Sequence, residues 1–486
     1  MVEVEEQGGV VATTPKTVHP SVGECVAQGK AARVVAPRTS HSMLAVAPDR
    51  DPVGLLEQQA TTRVAELVPI RYGRMLVSPF TFFRGAAVVM AHDLAPSPSA
   101  GLSVQLCGDC HLANFGGFAS PERDLVFDIN DFDETLRGPF EWDVKRLATS
   151  FEICARDRQF SDADRRAAVR AVVRAYREAM RQFASMGNLD VWYSRLDAAA
   201  IEQRLRRESD KAEVKRFART AEKARTKDSV KAFSRLAEQI EGGPPRIVSD
   251  PPLIVPIREL VERAEGIAGI DAEHAEGAVR RSLLTYQRSL QRERRALLKG
   301  FRYLDLAHKV VGVGSVGIRC WIVLLAGRDN DDPLFMQVKE AQESVLEPVL
   351  SKSAFTNHGQ RVVEGQRLMQ AVGDIFLGWG RLQQTHDNVA GDFYVRQMWD
   401  WKSSLKLEAI LPRGLTAYAL ACGWTLARAH ARSGDRIAIA SYLGKRDTFD
   451  RAIADFAEAY ADLNERDYEA LSEADRSGRI TVEKGL

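Results

Sequence analysis

Acidic side chains and one side-chain amide cluster at the ends of two predicted strands. An apolar run at residues 102–106 predicts a strand that enters a loop containing Asp109 and Asn114. A second apolar run, at residues 125–129, leads into an acidic group. The acids of this group are Asp128, Asp131, Asp133 and Glu134. Hard divalent cations prefer oxygen ligands such as these, so the sequence predicts a divalent-cation site with a further acid beside it.

A glycine-rich segment is the second feature that could take part in chemistry. Gly312, Gly314 and Gly317 match the pattern G-x-G-x-x-G, which has little meaning when it stands alone. The residues on both sides are β-branched and apolar, which predicts two flanking strands, whereas a dinucleotide-binding fingerprint requires a helix after the glycines. Between strands such a loop folds over nucleotide phosphates, because glycines let backbone N–H groups approach closely.

A phosphate-covering loop of this kind makes two further demands on the sequence. The next strand should carry an inward-facing lysine, and the helix after it should offer a glutamate. Lys339 lies in the strand-like segment LFMQVKEA and meets the first demand. Glu364, in the amphipathic segment RVVEGQRLMQ, is the predicted partner of Lys339, and Glu343 and Glu347 are alternatives.

Four segments are predicted to position these residues. Residues 1–38 lack hydrophobic periodicity, which predicts a disordered tail. Residues 39–302 are mainly helical in pattern and carry the acidic loops. Residues 303–402 alternate apolar and polar residues around the turn-rich GRDNDDP, which predicts a small antiparallel sheet with one helix. Residues 403–486 are helical in pattern and are expected to pack on the larger helical segment, so the predicted class is α+β.

Composition and charge limit the classes of partner. The chain has 486 residues, with 67 Lys and Arg against 66 Asp and Glu, and a net charge of +1. This balance argues against binding to nucleic acid or to a membrane surface. The N-terminal MVEVEEQGGVV is acidic where a secretory signal is basic, and the expected location is the cytoplasm. The oligomeric state is not predicted by these features.

The segment Cys107-Gly-Asp-Cys110-His111 allows three other interpretations. It matches the C-x-x-C-H pattern of covalent haem attachment, it resembles a thioredoxin-like redox pair, and it offers half of a zinc site. Haem attachment requires export, and a zinc site requires two further soft ligands for which no second pair is suitably spaced. The neighbouring acids suit Mg²⁺ better than any of these.

Several basic side chains are open to two interpretations. Arg71, Arg74 and Arg84 lie among aromatic residues, either as surface arginines with packed stems or as contacts to an anion. His430 lies in a helical pattern, which favours a buried, hydrogen-bonded histidine over a phosphate contact. The basic helical segment near residues 200–240 is predicted to be a solvated face.

The acidic stretch resembles the aminoglycoside-phosphotransferase and choline-kinase branch of the kinase-like phosphotransferases. The loop of that branch reads roughly H-G-D-x-H-x-x-N and stands here as CGDCHLAN at residues 107–114. Its metal motif I-D-[FW]-[DE] is matched by NDFD at residues 130–133, and its G-x-P…D-L-A segment by residues 138–148. The resemblance implies a two-lobed fold, with a helical large lobe and a small antiparallel β-lobe, and it implies ATP and Mg²⁺ as cofactors.

The resemblance also implies roles for individual residues. Asp109 would be the base that orients or deprotonates an acceptor hydroxyl. The metal ligands would be Asn114 and Asp131, assisted by Asp133 or Asp128. The phosphates would be covered by Gly312, Gly314 and Gly317 and neutralised by Lys339, which Glu364 would hold. The branch has a histidine where this chain has Cys107, and its glycine loop and lysine precede the catalytic loop. Here they follow it, which implies a circularly permuted order.

Over most of its length the chain is also similar to a bacterial domain-of-unknown-function family, number 2252. The matching phrases run from about residue 40 to the C-terminus and include SPFTFFRGAAVVMAHDLA, CGDCHLANFG, DINDFDET, VGVGSVGIRCW and LARAHARSGD. This similarity implies little about activity, because that family is defined by sequence.

The expected function is transfer of the γ-phosphoryl group of ATP to a hydroxyl of a small-molecule acceptor. Two alternatives use the same residues. The first is a nucleotide-binding pseudokinase that acts as a scaffold, and the second is an enzyme that transfers the AMP moiety of ATP. The sequence does not identify the acceptor.

Overall fold

Helices predominate in this protein, and its strands form small antiparallel sheets. A computed structural model describes residues 19–47, 49–199, 201–202, 211–264, 281, 284–382 and 391–485. About 52% of the described residues are helical and 15% are in strands, and each pair of neighbouring strands is antiparallel. The predicted α+β class is therefore confirmed.

The helices are numbered here in chain order within the described residues. They are α1 (Val22–Val35), α2 (Pro52–Ala60), α3 (Val68–Met75), α4 (Pro79–Gly85), α5 (Ala87–Leu94), α6 (Phe140–Asp157), α7 (Asp162–Ala184), α8 (Asn188–Tyr193), α9 (Lys211–Arg225), α10 (Ser229–Leu236), α11 (Ile257–Ala264), α12 (Arg292–Leu298), α13 (His358–Met369), α14 (Pro412–Ser433), α15 (Arg436–Leu443) and α16 (Thr448–Arg476). Short 3₁₀ turns lie at Arg38–Ser42, Ala65–Leu67, Leu112–Asn114 and Leu407–Ala409.

In the described part of the chain the strands fall into four sheets. They are β1 (Ser103–Leu106), β2 (Phe115–Ala119), β3 (Leu125–Ile129), β4 (Leu136–Pro139), β5 (Leu196–Asp197), β6 (Ala237–Glu238), β7 (Arg246–Ile247), β8 (Ile254–Pro256), β9 (Arg302–Lys309), β10 (Cys320–Ala326), β11 (Pro333–Ala341), β12 (Gly378–Leu382) and β13 (Gly391–Gln397). The largest sheet has the order β12-β13-β11-β10-β9-β8, and the smaller ones are β1-β4, β2-β3-β5 and β6-β7.

The six-stranded sheet contains the predicted hairpin. Strands β10 and β11 pair antiparallel on either side of the turn at residues 327–332, as the segment GRDNDDP indicates. Every residue of β10 is buried, because both faces of the sheet are covered. Val323 and Leu325 belong to the apolar cluster on one face, and Ile322 and Leu324 to the cluster on the other. Strand β8 adds an edge to this sheet from outside the predicted 303–402 segment.

The helical body is organised around α6, α7, α14 and α16, which pack against one another. Helix α6 is buried along almost its whole length. Helices α7 and α14 lie very close together at Gly423, where a Cβ would come within 2.2 Å of the Val172 carbonyl oxygen. The antiparallel pair β1-β4 and the hairpin β2-β3 lie beside this body and carry the acidic loops. Among the described residues no helix is long and apolar enough to cross a membrane.

The prediction of a disordered tail over residues 1–38 is wrong for its second half. Helix α1 begins after Ser21, whose side chain forms a capping box with Glu24. The helix packs against α15 through small residues such as Gly29 and Ala32, which are buried. A contact made by small side chains leaves no large apolar residues at helical spacing, and this explains why the pattern was missed. Residues 1–18 lie outside the described part of the chain.

Candidate functional site

One cavity brings the acidic loops and the glycine loop together. Its walls come from the loops after β1 and β3, from the β9–β10 loop and from the segment between α2 and α5. The predicted site residues among its lining are Asp109, Asn114, Asp131, Asp133, Gly312 and Gly314. The cavity contains about 600 Å³ of empty space, counting the open solvent at its mouth.

The loop that carries Asp109 is fixed by a buried carboxylate from α6. The side chain of Asp143 accepts hydrogen bonds from the backbone N–H groups of Cys107, at 2.8 Å, and Gly108, at 3.1 Å. Gly108 has a positive φ of 84°, and a Cβ there would meet the Glu134 carbonyl oxygen at 2.3 Å. Glycine is therefore required on both grounds at this turn. Asp143 acts as a positioning residue for the loop.

Asp109 is held by an arginine that the sequence analysis did not identify. Arg146, one turn after Asp143 on α6, donates from Nε to Asp109 Oδ1 at 2.7 Å. Burial raises the pKa of Asp109, and the neighbouring guanidinium groups of Arg146 and Arg84 oppose this rise. His111 Nε2 lies 3.7 Å from the second carboxylate oxygen. The resulting carboxylate is oriented, and its pKa lies above that of an ordinary aspartate.

Asn114 faces the same cavity from the next turn of the loop. Its Nδ2 donates to the Asp109 carbonyl oxygen at 3.0 Å, which fixes the orientation of the amide. This leaves the side-chain oxygen of Asn114 as its group for binding a cation. The asparagine is 9% exposed, so the amide is held in place at the cavity wall.

Lys339 joins the six-stranded sheet to the acidic loops. Its Nζ forms an ion pair with Asp133 Oδ2 and a hydrogen bond of 2.6 Å with the hydroxyl of Ser315 in the glycine loop. Tyr394, opposite Lys339 in the register of β11 and β13, donates its hydroxyl to Asp133 Oδ1 at 2.7 Å. The predicted lysine thus contacts both halves of the cavity.

The two aspartates of this cluster are shifted in opposite directions. Burial and the nearby Asp133 carboxylate raise the pKa of Asp131. Burial acts in the same direction on Asp133, but the Lys339 ammonium and the Tyr394 hydroxyl outweigh it and lower the pKa of Asp133. Asp133 is therefore the carboxylate already neutralised by the protein, and Asp131 is the one that a cation would stabilise.

Asn114 and Asp131 fit a divalent cation, whereas the other two predicted ligands do not. Both oxygens of Asp133 are engaged by Lys339 and Tyr394. Asp128 is buried away from the cavity lining and binds Arg428 through both oxygens, at 2.6 and 2.8 Å. The prediction that Asp128 assists a metal is wrong, because the alternation of β3 turns its side chain toward α14 instead.

Glu364 does not contact Lys339, and this prediction is also wrong. Its side chain is 38% exposed and pairs with Arg367 one turn later on α13, at 3.1 Å. The buried face of α13 instead presents Arg361, which donates to the carbonyl oxygens of Thr135 and Gln342. The alternative Glu347 is also occupied elsewhere, since it accepts hydrogen bonds from backbone N–H groups of its own loop.

The glycine loop lies between two strands, as predicted, and its ends are held by the segment between α2 and α5. Gly317 has a φ of 87°, and a Cβ there would meet the Arg63 side chain at 2.9 Å. The Gly317 carbonyl oxygen accepts from Val64 N at 2.8 Å. At the other end, Arg74 donates to the Gly312 carbonyl oxygen at 2.6 Å. Glycine at position 317 therefore allows this segment to approach the loop.

The cysteine and histidine patterns have structural explanations in the described chain. Cys107 and Cys110 are buried free thiols, and burial raises the pKa of both, to about 11 for Cys110. Their thiol groups and the Asp143 carboxylate lie within 4.8 Å of one another. His430 is buried between the Tyr176 hydroxyl, at 2.9 Å, and Asp143, at 3.3 Å. The prediction of a buried, hydrogen-bonded His430 is confirmed.

Sequence reasoning missed three side chains of the site. Arg146 has a local signal, because it lies three residues after Asp143 on one face of α6. Gln59 and Arg63 have no local signal in the sequence. They line the cavity only because the end of α2 and the segment after it lie beside the glycine loop in the fold. Arg84, for which a surface position and an anion contact were both considered, lines the cavity.

The comparisons with known proteins place the chain in a family and say nothing of its activity. Searches of curated proteins and of solved structures each found no match. A family model described as uncharacterized protein conserved in bacteria (DUF2252) matches residues 63–474. This match spans most of the chain and all the residues of the cavity except Gln59. The chain belongs to this bacterial family, DUF2252.

Proposed function

We propose that this protein is a Mg²⁺-dependent phosphotransferase that moves the γ-phosphoryl group of ATP to a hydroxyl of a small-molecule acceptor. The proposal includes a kinase-like arrangement of two lobes in permuted order. In this arrangement the six-stranded sheet supplies the nucleotide lobe and the helical body supplies the catalytic lobe. The antiparallel order of β9 to β13 and the position of the glycine loop between β9 and β10 support this arrangement.

The observation that carries the proposal is the composition of one cavity. Asp109, Asn114 and Asp131 face it from the acidic loops, and Gly312 and Gly314 face it from the glycine loop. Residues separated widely in the sequence meet there with the chemical types that phosphoryl transfer requires. Lys339 lies at the same place, bonded to both halves.

Each residue has a role that follows from its contacts. Asp109 accepts a proton or orients a hydroxyl, because Arg146 fixes one of its oxygens and burial makes the carboxylate more basic. Asn114 and Asp131 hold the cation. When bound, Mg²⁺ neutralises phosphate oxygens and orients them for transfer. Lys339 would exchange its ion pair with Asp133 for contacts with phosphate oxygens. It already lies beside the glycine loop, because it donates a hydrogen bond to the Ser315 hydroxyl.

The direct test is product analysis with ATP labelled at the α or the γ position. Release of γ-label with a hydroxyl acceptor or water supports phosphoryl transfer, whereas α-label on a product would show AMP transfer instead. If neither label leaves ATP while Mg·ATP still binds, the enzyme proposal fails and the scaffold alternative replaces it.

Asp109→Asn tests the proposed base. We expect turnover to fall by about 10²–10⁴-fold, the usual contribution of general acid–base catalysis, while Mg·ATP binding stays within about twofold. Asp162→Asn is the matched control, because Asp162 is exposed on α7 and is remote from the cavity lining. Unchanged turnover in Asp109→Asn refutes the assignment of the base.

A further inference from the structure

We propose that Arg63 and Arg84 form a second cationic wall of the cavity, which binds the polyphosphate chain of the nucleotide in addition to Lys339. The identity of the anion rests on the proposed function, whereas the binding of an anion rests on the arginines themselves. The segment between α2 and α5, which supplies this wall, would then be part of the active site. It would have a direct role in binding, beyond supporting the fold.

Arg84 is a cavity-lining arginine without a polar partner. Within the described chain its guanidinium makes no ion pair or hydrogen bond, and its Nε is buried without an acceptor. Its nearest ring contact is Phe80, whose centroid lies 6.0 Å away. The carboxylates that influence it electrostatically are Asp109, Asp131 and Glu408. None of these three lies within the 4.0 Å of an ion pair with Arg84, and two of them, Asp109 and Asp131, line the same cavity.

Arg63 lines the same cavity on the side of the glycine loop. Its Nη1 donates to the Val316 carbonyl oxygen at 2.5 Å, but its Nε is buried without an acceptor. Asp133 and Glu134 lie near enough to act on its charge, but no carboxylate of the described residues pairs with it. Burial lowers the pKa of Arg63 to about 10, which leaves the side chain charged at neutral pH.

A third arginine, Arg71, adds a further buried positive charge close to Arg63. Arg71 is fully buried, and its Nη2 donates to the Gln59 side chain at 2.6 Å and to the Gly85 carbonyl oxygen at 2.9 Å. Its Nε and Nη1 have no acceptor in the described chain, and the charge of Arg63 lies close by. Burying a charge without a counter-ion costs free energy. An anion in the cavity would offset part of this cost for all three arginines.

The composition of the cavity indicates what it binds. Asp131 and Asn114 offer oxygen ligands for a cation, and Arg63 and Arg84 line the same cavity. A cation held by Asp131 and Asn114 and an anion held by the two arginines satisfy both groups at once, and a metal-bound polyphosphate carries both charges. Arg guanidinium groups bind phosphate oxygens in pairs of parallel hydrogen bonds, which the single ammonium group of Lys339 cannot do.

The test uses inorganic tripolyphosphate, titrated into the full-length protein by calorimetry, with and without Mg²⁺. We expect Arg84→Gln and Arg63→Gln each to weaken tripolyphosphate binding by roughly ten- to a hundredfold, the usual effect of losing a charge-assisted hydrogen bond. Arg84→Lys should restore part of the affinity. Arg328→Gln is the matched control, because Arg328 is 82% exposed in the β10–β11 turn.

Thermal unfolding without any anion separates binding from structure. An arginine that only supports the fold would lower the melting temperature when it is removed. Arg84 has no hydrogen-bond or ion-pair partner to lose among the described residues, so we expect Arg84→Gln to melt at the same temperature as the parent protein or above it. A lower melting temperature together with unchanged tripolyphosphate affinity refutes the anion wall.

The outcomes also distinguish this inference from the proposed function. If the protein binds tripolyphosphate in a way that depends on Arg84 but does not bind ATP, the anion wall is supported and the proposal that the anion belongs to a nucleotide is refuted. ATP binding and turnover that are unaffected by Arg84→Gln and Arg63→Gln overturn the anion wall and leave the phosphotransferase proposal standing.

Discussion

Replacing Lys339 by methionine should destabilise the protein strongly at neutral pH and only weakly in acid. The Lys339 side chain is 4% exposed, and its ammonium group contacts Asp133 and the Ser315 hydroxyl. Methionine is similar in length but removes the charge. Among the described residues, the Asp133 side chain then keeps the hydrogen bond from Tyr394 and the more distant charge of Arg396, and it still lies beside Asp131. Breaking a buried ion pair by removing one partner costs about 3–5 kcal/mol, and that is the expected loss at neutral pH.

The pH dependence follows from the direction of each pKa shift. In the parent protein the folded pKa of Asp133 is lowered below its usual 3.8, so its contribution is present above about pH 4 and is lost as the pH falls through the folded pKa. Without Lys339, we expect burial to raise the pKa of Asp133, against the smaller lowering effects of the Tyr394 hydroxyl and the Arg396 charge. A raised carboxyl pKa favours the folded state when the group is protonated, so acid should reduce the penalty of the substitution.

The assay is urea unfolding at several pH values between about 5 and 8, with free energies from linear extrapolation. Lys352→Met is the control, because Lys352 is exposed in the loop before α13. The expected result is a difference between the parent and Lys339→Met that shrinks steadily on acidification. A difference that is independent of pH, or that grows in acid, would show that Asp133 does not depend on the lysine for its charge.

Further substitutions test the contacts that the structure assigns to Asp128 and Glu364 in place of the predicted ones. Arg428→Met should cost about 3–5 kcal/mol in urea unfolding, because it leaves Asp128 buried and charged. Combining it with Asp128→Asn should recover part of that loss, and a double variant as unstable as the sum of both single variants would contradict a buried pair. Glu364→Gln should leave Mg·ATP affinity within about twofold, since its partner is the half-exposed Arg367, one turn along the helix and away from Lys339. A tenfold loss of affinity would return Glu364 to the site.

Local patterns in the sequence predicted the parts of the site that depend on neighbouring residues. The glycines at 312, 314 and 317 lie in a loop between two strands, and the β-branched and apolar residues on both sides are of the types that favour strands. The acidic loops follow β1 and β3 for the same reason. These features need no knowledge of what packs against them.

The contacts that complete the site could not be predicted, because they depend on which face of an element meets which neighbour. Glu364 and Arg361 lie on the same helix, and only the packing of α13 against β12, β13 and α14 decides that Arg361 is buried. Lys339 takes its partner from the acidic loop, 206 residues earlier. Helix α1 was missed because its buried residues are small.

The separation of these partners along the chain is not an obstacle to one site. Lys339 lies 206 residues from Asp133, and Arg74 lies 238 residues from Gly312. The entropic cost of closing a loop grows with the logarithm of its length, by about 0.6 kcal/mol for each doubling. The order of the two loops along the chain therefore has only a small effect on the free energy of forming the cavity. The stability of the cavity depends mainly on the contacts that hold its loops together. Motif order is therefore no argument against a phosphate-binding site here, and the contacts of Lys339, Arg63 and Arg74 give that proposal its strongest support and its most direct tests.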